Sequence, residues 1–203
     1  MTMLFIALGG VCCTSFAAHA ACGAAARYGL KVRFASPFCI TSMIAATLFQ
    51  IAVCLRNPTS AAVTLVVAIA AATVCALTDA QTGYIFDAVT LPALTIVLGL
   101  SAAFNGFMPS VLGACAAAGM LAALYIATLG RGLGLGDIKL SACIGAALGA
   151  TDAVFSLGMA FVLGGTYASF MLATGRARRG QTVHFAPYIA GGMALLVLHR
   201  MWS

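Results

Sequence analysis

Gly130-Arg131-Gly132-Leu133-Gly134-Leu135-Gly136-Asp137-Ile138-Lys139-Leu140 is a glycine-rich loop that ends on a carboxylate and runs into an apolar helix. Its alternating glycines leave the backbone with almost no side-chain cover. Such a backbone adopts positive φ readily and lets another chain approach closely. Asp137 stands where helical patterning resumes. The whole chain holds only four acidic residues, Asp79, Asp87, Asp137 and Asp152, and none is a glutamate. An ionisable group in surroundings this apolar is a functional candidate by default.

Those surroundings follow from composition. Of 203 residues, 63% are hydrophobic and 7% charged, with a mean hydropathy of +1.10. A soluble domain carries about 25% charged residues. This chain cannot cover a globular surface with polar groups, so lipid must be the solvent for most of it. The net charge of +6 does not point to nucleic acid, because the basic residues are few and sit in short loops between apolar runs. None of the eight cysteines forms a CxxC pair, and most lie inside apolar runs, where they read as small packing residues. Neither a disulfide framework nor a metal site is expected, and no cofactor is implied.

A membrane span needs about 20 apolar residues. Eight segments qualify: Met3–Cys22, Pro37–Leu55, Ser60–Thr78, Ala88–Phe104, Val111–Leu129, Ile138–Ala150, Ala153–Ala173 and His184–Leu198. The expected fold is therefore all-α and polytopic, with about eight transmembrane helices. Residues 1–58 would supply two N-terminal helices and a short basic loop, and residues 59–203 a six-helix membrane domain. The sixth segment is short, so the glycine loop must dip into the membrane with Asp137. Irregular backbone at that depth must be buried in protein or reached by water, which predicts a wet cavity at Asp137. The loops on one side hold Arg27, Lys31, Arg33, Arg131, Lys139, Arg176, Arg178 and Arg179; those on the other hold Arg56 and Arg200. Eight against two makes the first side cytoplasmic. Ala18-His19-Ala20 resembles a leader-cleavage site, but the basic loop that follows it favours a retained first span.

Asp79 and Asp137 then lie at the cytoplasmic ends of the third and sixth spans. Two carboxylates held close cannot both ionise easily and share one proton. The ionised member can take a proton from water while the protonated one polarises a peptide carbonyl, which is aspartic-protease chemistry. Plainer readings stand beside this one. Asp137 fits an N-cap of the helix from Ile138, Asp87 a cap of the fourth span, and Asp152 a cap of the seventh. Pattern alone does not rank Asp79 over Asp87. Lys139 reads as a residue snorkelling to the headgroups, and Arg176, Arg178 and Arg179 as a topology anchor. A broken span with lone carboxylates also fits a small transporter or ion channel.

Gly134-Leu135-Gly136-Asp137-Ile138-Lys139-Leu140 resembles the GxGD-x-K-L signature of the type IV prepilin peptidases, GxGD aspartic proteases of bacterial inner membranes. Asp79, with Ile85-Phe86-Asp87 and Leu91-Pro92 after it, is similar to that family's first catalytic aspartate and the turn beyond it. His184-Phe185-Ala186-Pro187 looks like its late P-F-G-P segment. The resemblance covers about Ser60 to Leu198. It implies cleavage of the basic leader of prepilins or pseudopilins, after a glycine, at the cytoplasmic membrane face. Asp79 and Asp137 would be the catalytic pair, with Gly134, Gly136, Lys139 and Asp87 around the substrate. Membrane lipid and the prepilins of type IV pili or type II secretion would be the partners. Phe86 and His184 stand where the family has prolines, and Ala186 where it has glycine. Fuller members also carry a cytoplasmic loop with paired CxxC motifs that holds zinc, and they N-methylate the product. Here that loop is residues 23–36, without CxxC, so a peptidase without methylation is expected. A presenilin-like protease cutting within spans is the neighbouring alternative.

Overall fold

A computed structural model describes residues 2–56, 60–104, 106–130, 132–176 and 184–202. Among these residues the chain forms eight helices and no strands: α1 (Thr2–Arg27), α2 (Pro37–Arg56), α3 (Ser60–Thr82), α4 (Asp87–Phe104), α5 (Phe107–Ala127), α6 (Leu135–Leu148), α7 (Ala150–Ala173) and α8 (Ala186–Trp202). The protein is an all-α, multi-pass membrane protein. Among the described residues, five helices, α2, α3, α4, α5 and α7, are long and apolar enough to cross a bilayer. The short sixth segment appears as the 14-residue α6. It begins three residues earlier than expected, so Gly136 and Asp137 are already helical. Arg131, Arg178 and Arg179 lie outside the described residues.

α3 is the axis of the bundle. Most of its span is enclosed, whereas the other four long spans are largely uncovered. Its sequence explains this, because a helix built mainly of alanine, valine and threonine presents a thin, smooth surface on every side. α1, α2, α4, α6 and α8 all pack on it. Lipid removes the hydrophobic drive between helices, so association rests on close van der Waals contact between small residues. The α5–α6 pair shows this most directly. A Cβ on Gly113 would run into the carbonyl of Gly145, and one on Gly145 into the carbonyl of Gly113. The two backbones touch.

The bundle has two polar ends. At one, Arg56 donates through Nη1 to the carbonyl of Met201 (2.8 Å) and its Cζ lies 6.0 Å from the centre of the Trp202 ring, while Arg200 pairs with Asp152 at 2.6 Å. At the other, the Arg33 amide donates to Gln81 Oε1 (2.9 Å), and Tyr28 stacks near Phe86 with ring centres 6.3 Å apart. Asp79, Asp87, Asp137 and Lys139 are at this second end. Asp152 was expected to cap α7. No side chain caps that helix, and its carboxylate reaches across to Arg200 instead.

Candidate active site

Asp79 stands in the last turn of α3, where Gly83 stops the helix. The Gly83 amide donates to the Asp79 carbonyl at 2.8 Å, and its φ of 72° is one that a side chain adopts only with strain. Asp79 is 6% exposed. α8 begins beside it: the Ala186 amide donates to Asp79 Oδ2 at 3.2 Å, so the positive end of a helix dipole faces the carboxylate. Nδ1 of His184 lies 3.5 Å from Asp79 Oδ1.

Asp137 is the third residue of α6 and is 7% exposed. It is not the N-cap. Gly134 takes that place in extended conformation, and its amide donates back to Asp137 Oδ2 at 3.0 Å. The Asp137 amide donates to the Gly134 carbonyl at 3.1 Å, which completes a reciprocal capping arrangement. The helix-capping reading of Asp137 thus describes one of its oxygens. Oδ1 is buried, and no described protein donor reaches it.

The two acids meet. Asp137 lies within electrostatic reach of both Asp79 and His184, and buried Cys75 of α3 is within reach of both acids and of Cys143 on α6. Gly136 fixes how near α6 can come to the segment after α3. A Cβ there would stand 2.7 Å from Cβ of Ile85. Of the four loop glycines, Gly130 has positive φ (71°) and Gly136 is used for close approach. Gly134 is extended and serves through its amide.

Lys139 and Asp87 differ from expectation. Lys139 does not stand alone among headgroups: its Nζ donates to both oxygens of Asp87 at 2.7 Å. The pair ties α6 to the first turn of α4 over partly exposed ground. It also separates Asp87 from Asp79, since Asp87 is neutralised by a lysine and Asp79 is not. Among the described residues, no lysine or arginine pairs with Asp79 or Asp137.

The clearest groove among the described residues lies beside the first acid. An apolar groove of about 400 Å³ opens between α2, α3 and α8, with Phe38, Phe49 and Met193 in its wall. Asp137 does not line it. Its lining includes Ala80 and Pro187, the chain neighbours of Asp79 and of Ala186, so it runs up beside the first acid. His184 and the Ala186 amide are what sequence reasoning missed. They lie 105 and 107 residues from Asp79, and no local spacing links them to it. The only signal was the resemblance of residues 184–187 to a motif, and there His184 counted as a departure.

Among known protein families, the type IV leader peptidase family matches residues 66–169. That stretch is more than half of the chain and contains both acids, Asp87, Lys139 and the glycines before Asp137. No curated protein and no solved structure matched.

Proposed function

Since the chain belongs to the type IV leader peptidase family, we propose that it is an aspartic endopeptidase acting on the leaders of prepilins or pseudopilins, with Asp79 and Asp137 as the catalytic pair. One observation carries this reading. Two buried carboxylates share one end of the bundle within electrostatic reach of each other, and no lysine or arginine among the described residues neutralises either. Such a pair favours holding a single proton.

The reaction is hydrolysis. One carboxylate takes a proton from water as the water oxygen bonds to the scissile carbonyl carbon, and the protonated acid gives its proton to the carbonyl oxygen. The tetrahedral diol then collapses. The peptide C–N bond breaks, the amine leaves with a proton from the first acid, and a diol proton returns to the second. The extended backbone at Gly134 lies beside Asp137 and would receive the leader junction. The apolar helix of the prepilin would occupy the groove between α2, α3 and α8, which ends next to Asp79 and matches that helix in character. Lys139 and Asp87 hold α6 against α4 around the junction. Residues 59–203 form the catalytic unit in this reading, and residues 1–58 add helices that pack on α3.

The eight-to-two bias of basic residues supports a bacterial inner-membrane protein with this end facing the cytoplasm. The short loop after α1, lacking CxxC, supports cleavage without N-methylation. Co-expression with a prepilin tests both points. Mass spectrometry should find a pilin cut after its leader glycine with an unmethylated terminus. Asp79→Asn and Asp137→Asn should each leave full-length prepilin in membranes that still contain the enzyme. A pilin processed by either variant removes that residue from the catalytic pair, and a methylated product refutes the second point.

A further inference from the structure

We infer that His184 is a positioning residue that holds Asp79 as the ionised member of the pair and leaves the shared proton on Asp137. The inference rests on the peptidase reading above and adds to it which acid plays which part.

The two carboxylates are held differently. Both oxygens of Asp79 face nitrogens, Oδ2 the Ala186 amide at 3.2 Å and Oδ1 the His184 imidazole at 3.5 Å. Asp137 has one donor, the Gly134 amide, and a buried Oδ1 that no described protein donor reaches. A carboxylate facing a helix N-terminus and an imidazolium is favoured as the anion. A buried oxygen without a donor is costly as part of an anion, and as a hydroxyl it can itself donate to the substrate carbonyl. The asymmetry makes Asp79 the base toward water and Asp137 the acid.

His184 is seated for this part. Its ring lies over Gly83, where an added Cβ would be 3.4 Å from Cε1, and half of its side chain is exposed to solvent. The other titratable groups around Asp79 do not replace it. α6 offers Asp137, an acid; Lys139, engaged with Asp87 of α4; and Cys143, a buried thiol. Cys75 lies on α3 itself, Cys39 of α2 accepts from Gln81 Nε2, Tyr28 after α1 stacks near Phe86, and Tyr188 of α8 packs on Tyr167. His184 also lies beyond the stretch that matches the family, at a place where the resemblance expects proline.

The test uses the full-length protein in liposomes and a purified prepilin whose basic leader ends on glycine, with kcat and KM followed from acid to alkaline pH. On this inference a positive charge at position 184 favours the ionised form of Asp79 on acidification, so removing it should move the acidic limb of kcat to higher pH. For His184→Gln we expect a move of about half to one pH unit, a three- to tenfold lower kcat at the acidic edge, and KM within about twofold. His184→Lys, with a permanent charge, should keep the wild-type limb. His184→Pro is a second uncharged variant and should move with Gln. A purely structural role would lower kcat evenly at every pH. An even loss, or Lys and Gln profiles that coincide, overturns the inference. Absence of cleavage by the wild-type protein would instead refute the peptidase reading itself.

Discussion

Asp137 and Asp152 occupy the same position in two consecutive helices. Each is the third residue of its helix, each follows a glycine N-cap, and they are 7% and 9% exposed. Their partners differ. Asp152 has an arginine at 2.6 Å, a permanent cation that leaves its carboxylate nothing further to do. Asp137 has one backbone amide, an oxygen no described protein donor reaches, and a second acid within electrostatic reach. A saturated buried carboxylate is a structural part, and an under-saturated one can react. Burial and helix position are equal here, so the partners make the distinction.

The partners suggest changes that would break or sharpen this contrast. The largest effect should come from crowding the reactive end. Gly136→Val places a side chain where Ile85 already stands 2.7 Å from a Cβ, so the first turn of α6 must move and carry Asp137 off line. A displacement of about an ångström costs on the order of a hundredfold in rate. We expect kcat to fall ten- to a hundredfold with KM little changed, and Ile85→Ala to restore part of it. Full activity in Gly136→Val would mean that the approach of α6 to the segment after α3 does not set the geometry.

At the saturated end the effect should appear in stability rather than rate. Asp152→Asn gives up the contact with Arg200, whose side chain is 62% exposed and so strongly screened. The loss should be about 1 kcal/mol, or a fall in Tm of roughly 2–4 °C for a chain of this size. Thermal unfolding in detergent would measure it, and cleavage should stay within about threefold of wild type.

The smallest effect belongs to the Lys139–Asp87 pair. Both side chains are more than a third exposed, at 39% and 56%, so Lys139→Met should change stability by less than about 1 kcal/mol and kcat by less than about threefold. The charge-swapped double variant, Lys139→Asp with Asp87→Lys, should recover what the single change loses. A hundredfold loss in Lys139→Met would place the lysine in the chemistry and undo its reading as a tie between helices.

Much of this was legible in the sequence, for identifiable reasons. Runs of about twenty apolar residues mark helices with little ambiguity: each of the eight expected spans overlaps a helix, and among the described residues five of these helices are long and apolar enough to cross a bilayer. Their starts were less legible. α5 begins at Phe107 rather than Val111 because Pro109 fits within a first turn, and α6 takes in Gly136 and Asp137 because Gly134 supplies the cap. The two acids stood out because the chain has only four. Their surroundings did not, since Lys139 finds Asp87 across 52 residues and the Ala186 amide finds Asp79 across 107. Helix-face reasoning reaches neighbours three or four residues away and says nothing about such meetings.

The most direct test makes the same substitution at the two matched positions. Asp137→Asn and Asp152→Asn, each in liposomes with one purified prepilin, differ from wild type by a single carboxylate at the third residue of a helix. The under-saturated acid should account for the reaction, so leader cleavage should fall at least a thousandfold in Asp137→Asn and stay within about threefold of wild type in Asp152→Asn. Comparable rates in the two variants, whether both active or both dead, would contradict it.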